Sequence, residues 1–557
     1  MSAQANTGRK SRILYTKATP HPQVLDRACG NTREKSKSTQ KQQTYPHPQV
    51  LGCACGNKKK NIYMNETTSK KSSNFQQALW LAIGQFCTFA TSFVSAAILS
   101  RFFDKTDYGT YKQILYIYST LTTLFLMGLP SAFSYFIPRL EKGEQKSFIN
   151  TLNNILVVIG AIISILLFVF SDLIASILEN PELATGLKIA APFPLLTLPC
   201  IGVEGIYTAL RKTKELAIYH VVTKIFTLSC IITPVLLFGS NYKYAIYGWG
   251  IASFLIFLTA MYMKNKPYTK TEKIKAPNMY KDIFAYSTPL LGAFLGGSLI
   301  SMADQFFISR YYGTSVFADY SNGCLNIPFV IMVTSSIKNV LLPLFSKANA
   351  EKNMEALLNT YNNAVNKSIV LLIPLITFCF VFSKEIMVFI YGEQYATSSI
   401  FFKCFIIREI IDILPYFSVL MALGMSRTYM NIHIFGAMYM WMTGWMITSC
   451  DLPPYLIVIA GSLLQFAIRG YAFLSIYRKH NIPLVTIEIT KKMTFVIINC
   501  LLCGYLTIFI CDLIPCNEMI IINLIISGIL YYTMLILSGK IIKINYLESL
   551  SQLIKRE

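Results

Sequence analysis

From Phe75 to about residue 539, apolar blocks long enough to span a bilayer follow one another with only short polar loops between them. A hydrocarbon core about 30 Å thick takes roughly 20 apolar residues at a helical rise of about 1.5 Å each. Inside lipid every backbone N–H and C=O must find its partner within the segment. A helix does this, and the strand-type alternation of a barrel is absent. Hydrophobic residues make up 54% of the chain and charged ones 14%, against about 25% charged in an average soluble domain. The chain reads as an all-α polytopic membrane protein.

The formal charge of +22 suggests nucleic acid only until it is mapped. About half of the excess precedes Met64, and most of the rest lies in short loops between apolar blocks. No nucleic-acid partner is expected. The 14 cysteines show no paired metal spacing, and Cys87, Cys200, Cys230, Cys379 and Cys500 lie in apolar runs as small hydrophobes. Cys511 and Cys516 flank an expected external loop, but no disulfide framework surrounds them.

Residues 1–63 contain a near-duplicate: the run from Pro20 to Asn31 returns from Pro46 to Asn57. The segment has neither the apolar face of a solenoid repeat nor the apolar run of a signal peptide. Its Lys, Arg, Gln, Ser and Thr content cannot bury a core, and the pair Cys53 and Cys55 lacks the partners of a metal site. It reads as translated upstream repeat DNA, with the working start at Met64, or as a disordered cytoplasmic tail.

About fourteen spans are expected, near 76–100, 110–137, 149–170, 184–209, 214–238, 244–263, 283–309, 319–345, 366–390, 398–424, 429–449, 454–477, 493–514 and 518–539. With the N-terminus in the cytoplasm, the basic loops Arg139 to Lys146, Arg211 to Lys214, Lys264 to Lys281, Lys347/Lys352, Arg427 and Arg478 to Lys492 all fall inside. Opposite loops carry Asp172, Glu179, Glu182, Glu393, Asp451, Asp512 and Glu518. About 25 Lys/Arg then lie inside against about 5 outside, so both termini are expected to be cytoplasmic.

Ser100-Arg101-Phe102-Phe103 followed by Tyr111 is echoed by Ser309-Arg310-Tyr311-Tyr312 followed by Tyr320, at the same internal spacing. Both elements fall on the external side, six spans apart. Two parallel six-helix lobes, 75–264 and 283–478, follow from this, related by a pseudo-twofold axis along the membrane normal, with the substrate site between them. The basic linker 265–282 joins the lobes, residues 492–540 add helices thirteen and fourteen, and 541–557 form a cytoplasmic tail.

The run Arg101-Phe-Phe-Asp-Lys-Thr-Asp-Tyr108-Gly109 and the later Gly128-Leu-Pro130 resemble the opening of polysaccharide-export flippases. Asp304-Gln-Phe-Phe-Ile-Ser-Arg310-Tyr-Tyr-Gly313, continuing to Ala318-Asp-Tyr320, is similar to their second-lobe signature. These are O-antigen and capsule repeat-unit flippases of the multidrug/oligosaccharidyl-lipid/polysaccharide (MOP) exporter superfamily. The chain departs from them at Asp104-Lys105, where Gly-Pro is usual. The resemblance implies a non-enzymatic carrier of undecaprenyl-pyrophosphate-linked oligosaccharide from the cytoplasmic to the periplasmic leaflet of the bacterial inner membrane. It also implies membrane lipids, a polysaccharide polymerase and chain-length proteins as partners. No cofactor is expected, and proton or sodium coupling is open.

An intramembrane cation costs roughly 2.5–3.5 kcal/mol on insertion scales and needs a reason. Lys224, Lys338, Arg408 and Arg469 all fall within expected spans and are candidate anion contacts for a pyrophosphate or acidic sugar in the cavity. Snorkelling or internal pairing is the alternative, and for Arg408 an i,i+4 pair with Asp412 is favoured over substrate contact. Asp304, with Arg101 and Arg310 nearby on the external side, is a candidate gate latch or a coupling residue, the latch being favoured. Pro130, Pro192, Pro194, Pro199, Pro289, Pro328 and Pro374 interrupt spans and suit helices that bend.

Two other functions compete. A cation-coupled multidrug exporter of the same superfamily usually carries an acid inside its first lobe, where span one here has only Gln85 and Ser/Thr. A membrane polysaccharide polymerase would expose a sizeable external loop, and none here exceeds roughly 15 residues.

Overall fold

The computed structural model describes residues 74–126, 128–272, 274, 279–513, 520–542 and 544–546. The duplicated segment within 1–63, Cys516, Glu518, part of the linker 265–282 and most of the tail 541–557 lie outside the described residues. The described helices belong to one compact unit, Lys71–Glu557.

The first part of the chain forms α1 (Asn74–Phe102), α2 (Lys105–Leu126), α3 (Leu129–Phe136), α4 (Lys142–Val169), α5 (Ser171–Ile177), α6 (Pro181–Ala190), α7 (Phe193–Thr197), α8 (Gly202–Ala209), α9 (Thr213–Phe238) and α10 (Tyr242–Asn265). The second part forms α11 (Met279–Tyr311), α12 (Gly313–Gly323), α13 (Pro328–Ala350), α14 (Met354–Val381), α15 (Ser383–Tyr391), α16 (Ser398–Asp412), α17 (Tyr416–Ala422), α18 (Ser426–Ser449) and α19 (Tyr455–His480). Helices α20 (Ile487–Leu513) and α21 (Ile520–Ile542) complete it.

Local sequence explains where these helices start and break. A capping box joins Glu141 and Glu144 at the start of α4. Gly128 takes φ 74° to turn the chain between α2 and α3, and Pro130 then sits in the first turn of α3, where its missing N–H costs nothing. The two helices meet at 49°. Pro328 likewise opens α13 after the break that ends α12. Pro192, Pro194 and Pro199 divide the expected span 184–209 into α6, α7 and α8 with a short 3-10 turn. Pro374 behaves otherwise: α14 runs through it unbroken. The side chain of Pro289 lies outside the described positions.

Ten helices are long and apolar enough to cross a membrane, or eleven if bent α2–α3 is one span, among the described residues. Their outward faces are lined with bare apolar side chains: Leu237 is 72% exposed and Ile541 84%. In water such a belt would drive aggregation, and in lipid it is the solvated surface. This is a multi-pass, all-helical membrane protein. Segments expected as spans at 283–309, 398–424 and 429–449 do fold as helices, namely α11, α16 with α17, and α18, but are not among those ten. Ser301, Asp304 and Gln305 of α11 and Arg408 of α16 face an internal cavity, so part of each helix's surface is matched to water rather than lipid.

Helix α2 packs along α12, α11 along α18, α16 along α19, and α1 along α9. The α2–α12 contact is close because Gly109 has no side chain: a Cβ there would sit 2.1 Å from the Thr314 carbonyl oxygen. Helix α20 lies against α14, tied by Lys492 Nζ donating to Asn366 at 3.0 Å. The Tyr531 hydroxyl of α21 donates to the Pro374 carbonyl at 3.0 Å.

Candidate functional site

A cavity of about 550 Å³ is bounded by α2, α11, α12, α16, α18 and α19, with Cys324 and Asn326 of the α12–α13 connection and Trp249 of α10 on its walls. A second cavity of about 370 Å³ shares Ser119, Ser301 and Gln305 with it and continues between α2 and α11 past Thr120, Thr123 and Ser298. The lining is rich in hydroxyls and amides, groups that exchange hydrogen bonds with water or with a polyhydroxylated ligand at little net cost.

Three charged side chains line the larger cavity: Lys112 of α2, Asp304 of α11 and Arg408 of α16. Lys112 lies over the ring of Tyr108 at 5.1 Å, and Arg408 stacks on Phe405 with its guanidinium carbon 3.5 Å from the ring centroid. Both cations are thus placed by aromatic faces rather than consumed by a carboxylate. The Asp304 carboxyl faces the Tyr320 hydroxyl and lies within electrostatic reach of Arg408.

Beyond this layer sits a buried ionic cluster. Arg469 forms an ion pair with Asp412 and donates to the Gln465 carbonyl at 3.0 Å and its side-chain oxygen at 2.9 Å. Glu409, 2% exposed, accepts the Ile327 amide at 3.2 Å and so holds the residue just before the Pro328 break. Lys338 lies within electrostatic reach of both Glu409 and Arg469.

Polar contacts between the first and second parts of the chain close the cavity at its Tyr108 end. Lys105 Nζ pairs with Asp319 at 2.9 Å and donates to Thr397 at 3.2 Å. Ser398 donates to the same Asp319 at 3.0 Å. The Tyr108 hydroxyl donates to Asn322 at 2.7 Å, and Gln113 donates to Ser309 at 2.8 Å. Gln394 donates to the carbonyls of Ser100 and Phe103 at 2.6 and 3.3 Å.

The geometry places the residues singled out in the sequence as follows. Arg408 does not pair with Asp412; that carboxylate goes to Arg469, which leaves Arg408 facing the cavity. Arg469 and Lys338 lie in the ionic cluster and do not line the cavity. Lys224 is half-buried on α9, on a helix that contributes nothing to the cavity lining. Asp304 does not pair with Arg310 or Arg101: Arg310 bonds to Glu179, and Arg101 to the Phe389 carbonyl. Both arginines still bridge the two parts of the chain at the closed end. Cys511 meets Ser527 at 3.4 Å. Lys105, at the departure from the usual Gly-Pro, supplies an ion pair across the interface. Lys112 escaped sequence reading because it lies near the start of its span, where a cation is ordinarily interfacial. Its signal was the i,i+4 spacing from Tyr108, which puts both on one helix face.

Residues 75–349 match the family described as Polysaccharide biosynthesis protein. The match covers just under half of the chain. The family is one of transporters, not of enzymes. The chain is 23% identical over 338 residues to the succinoglycan biosynthesis transport protein ExoT of Rhizobium meliloti (strain 1021), an alignment covering 57% of this chain and 62% of that protein. In fold the chain resembles solved membrane transporter structures. The lipid II flippase MurJ in an inward closed conformation superposes with TM-score 0.62 at 16% identity, covering 84% of this chain and 99% of the other. A MOP superfamily transporter from Pyrococcus furiosus Vc1 (DSM3638) gives 0.51 at 13% identity, covering 73% and 96%. An outward-facing multidrug resistance MATE family transporter gives 0.51 at 12%, covering 74% and 96%.

Proposed function

We propose that this polysaccharide-biosynthesis transporter is a flippase that carries an undecaprenyl-pyrophosphate-linked oligosaccharide from the cytoplasmic to the periplasmic leaflet of a bacterial inner membrane. The cargo is an O-antigen, capsule or exopolysaccharide repeat unit; the likeness to a succinoglycan transport protein favours the last. The carrying observation is the cavity in which Lys112 and Arg408 are held by aromatic rings beside hydroxyl-lined walls. Two uncommitted cations suit a pyrophosphate, and Ser, Thr, Asn and Gln suit a sugar.

In this reading the lobes are 75–264 and 283–478, fourteen spans cross the membrane, and both termini are cytoplasmic. The contacts around Tyr108 and Asp319 form the periplasmic gate, with Arg101 and Arg310 at its rim. Alternating access then consists of breaking these contacts while the opposite end closes, with bending at Gly128 and before Pro328. Arg469 and Lys338 hold the cavity wall rather than the cargo. Asp304, the acid among the cavity-lining charges, is the candidate site of proton or sodium coupling.

A strain lacking the gene should accumulate lipid-linked repeat units on the cytoplasmic leaflet and lose surface polysaccharide. Normal surface polysaccharide in such a strain, with no redundant flippase, sinks the proposal. Asp304 supports one second reading, a cation-coupled drug exporter, as an acid lining the cavity, although it stands in the second lobe and not in the first, where such exporters usually carry theirs. Drug sensitivity with intact polysaccharide in the same strain would select it.

A further inference from the structure

We infer that a separate cleft at the start of α1 and α9 binds the headgroup of an anionic phospholipid. Helices α1 and α9 run side by side and in parallel: Lys214 lies over the Trp80 ring at 5.8 Å, and farther along Gly84 meets Ala217 and His220. The expected spans 76–100 and 214–238 of these two helices both begin near this level. The cleft between them, about 590 Å³, therefore sits at headgroup depth, where Trp is favoured and the hydrocarbon begins.

Its rim is cationic. Arg211, Lys212 and Lys214 line it against the single acid Glu215, which lies 3.5 Å from Lys212. Arg211 holds φ 57° between α8 and α9, a conformation a non-glycine residue rarely takes. Its backbone N–H bonds to Thr208, and that of Lys212 to Tyr207. Arg211 thus stands on a hydrogen-bonded turn and Lys214 in the first turn of α9, and the one acid beside them pairs with Lys212 instead. Ile83 lines the cleft below the rim, and farther along the two helices Phe86 on α1 and Ile218 and Val222 on α9 are exposed apolar side chains, with Gln85 as an exposed polar one. A free phosphate uses only the rim. A phospholipid uses rim and strip together, which is why the lipid is the assigned occupant. The cleft is distinct from the central cavity, with which it shares no lining residue, and the inference does not depend on the cargo.

The full-length protein, purified in neutral detergent, is titrated with phosphatidylglycerol, phosphatidylcholine or inorganic phosphate while thermal unfolding and native mass spectra are recorded. Phosphatidylglycerol should bind saturably and raise the unfolding temperature, while the other two should not. Affinity should fall roughly fivefold for each basic residue removed, as in Arg211→Gln and Arg211→Gln/Lys214→Gln. A control carrying Lys266→Gln/Lys270→Gln/Lys281→Gln should keep wild-type affinity. No preference for the anionic lipid, unchanged affinity in both Arg211 variants, equal loss in the control, or the same stabilisation by phosphate alone would each overturn the assignment. Arg211→Gln and the control both change exposed side chains, so a folding defect in the double variant leaves the comparison intact.

Discussion

Gly109 of α2 and Thr314 of α12 meet backbone to backbone: a methyl group on Gly109 would lie 2.1 Å from the Thr314 carbonyl oxygen. The atom met is the Thr314 backbone carbonyl, which cannot swing aside as a side chain would, so any side chain at 109 separates the helices at the closed end. Gly109→Ala should cost about 1–3 kcal/mol of this closed arrangement. A cysteine placed at Asn322 should then react several times faster with an impermeant maleimide than in the Gly109 background. Unchanged labelling would show that the two helices part without cost.

The Lys105–Asp319 ion pair makes a second, separable demand on the same end. Asp319 is 9% exposed at its side chain and Lys105 24%, so the pair is only partly screened. Lys105→Ala leaves Asp319 with Ser398 and without its cation, and should weaken the closed end by ~1–3 kcal/mol. Lys105→Met with Asp319→Leu should recover part of that loss. A double-mutant cycle on the maleimide rate measures the coupling, and a coupling near zero would place the closure elsewhere.

In the cavity, Arg408→Gln and Lys112→Gln should each cut export at least ~tenfold at unchanged protein level, as expected on losing a charge-assisted contact of about 1.5–3 kcal/mol. Lys224→Gln, away from the lining, should export within about twofold of wild type. Surface polysaccharide and cytoplasmic-leaflet intermediates provide the readout. The reverse ranking would move the anion site to α9.

Stability rather than transport should report on Arg469. Its side chain is 5% exposed while Asp412 is 36% exposed. Asp412→Leu therefore strands a nearly buried guanidinium, at a cost of ~3 kcal/mol after allowance for screening at the carboxylate. Arg469→Met with Asp412→Leu should restore most of the lost thermal stability in detergent. If the double variant is no more stable than Asp412→Leu, Arg469 has another role.

The helical membrane class was legible because apolar block length is a local property, set by the thickness of the bilayer. Break points at Pro130 and Pro328 were legible for a similar reason, since proline acts on its own helix. The pairing of charges was not. Arg408 and Asp412 stand one turn apart and look like partners. Asp412 instead takes Arg469, fifty-seven positions later in the numbering, because α16 and α19 pack together and bring that guanidinium into a site with almost no water.

By itself the sequence determined a chain of apolar helices with cations distributed among them, and the two short echoes at Arg101 and Arg310. Tertiary structure alone decided which of those cations face the cavity. Lys112 and Arg408 rest on aromatic rings at its wall, Arg469 is neutralised behind it, and Lys224 is on another helix. Periodicity places a side chain on a face of its own helix. What that face meets depends on packing between segments far apart in the chain, where one close approach such as Gly109 to Thr314 sets the register.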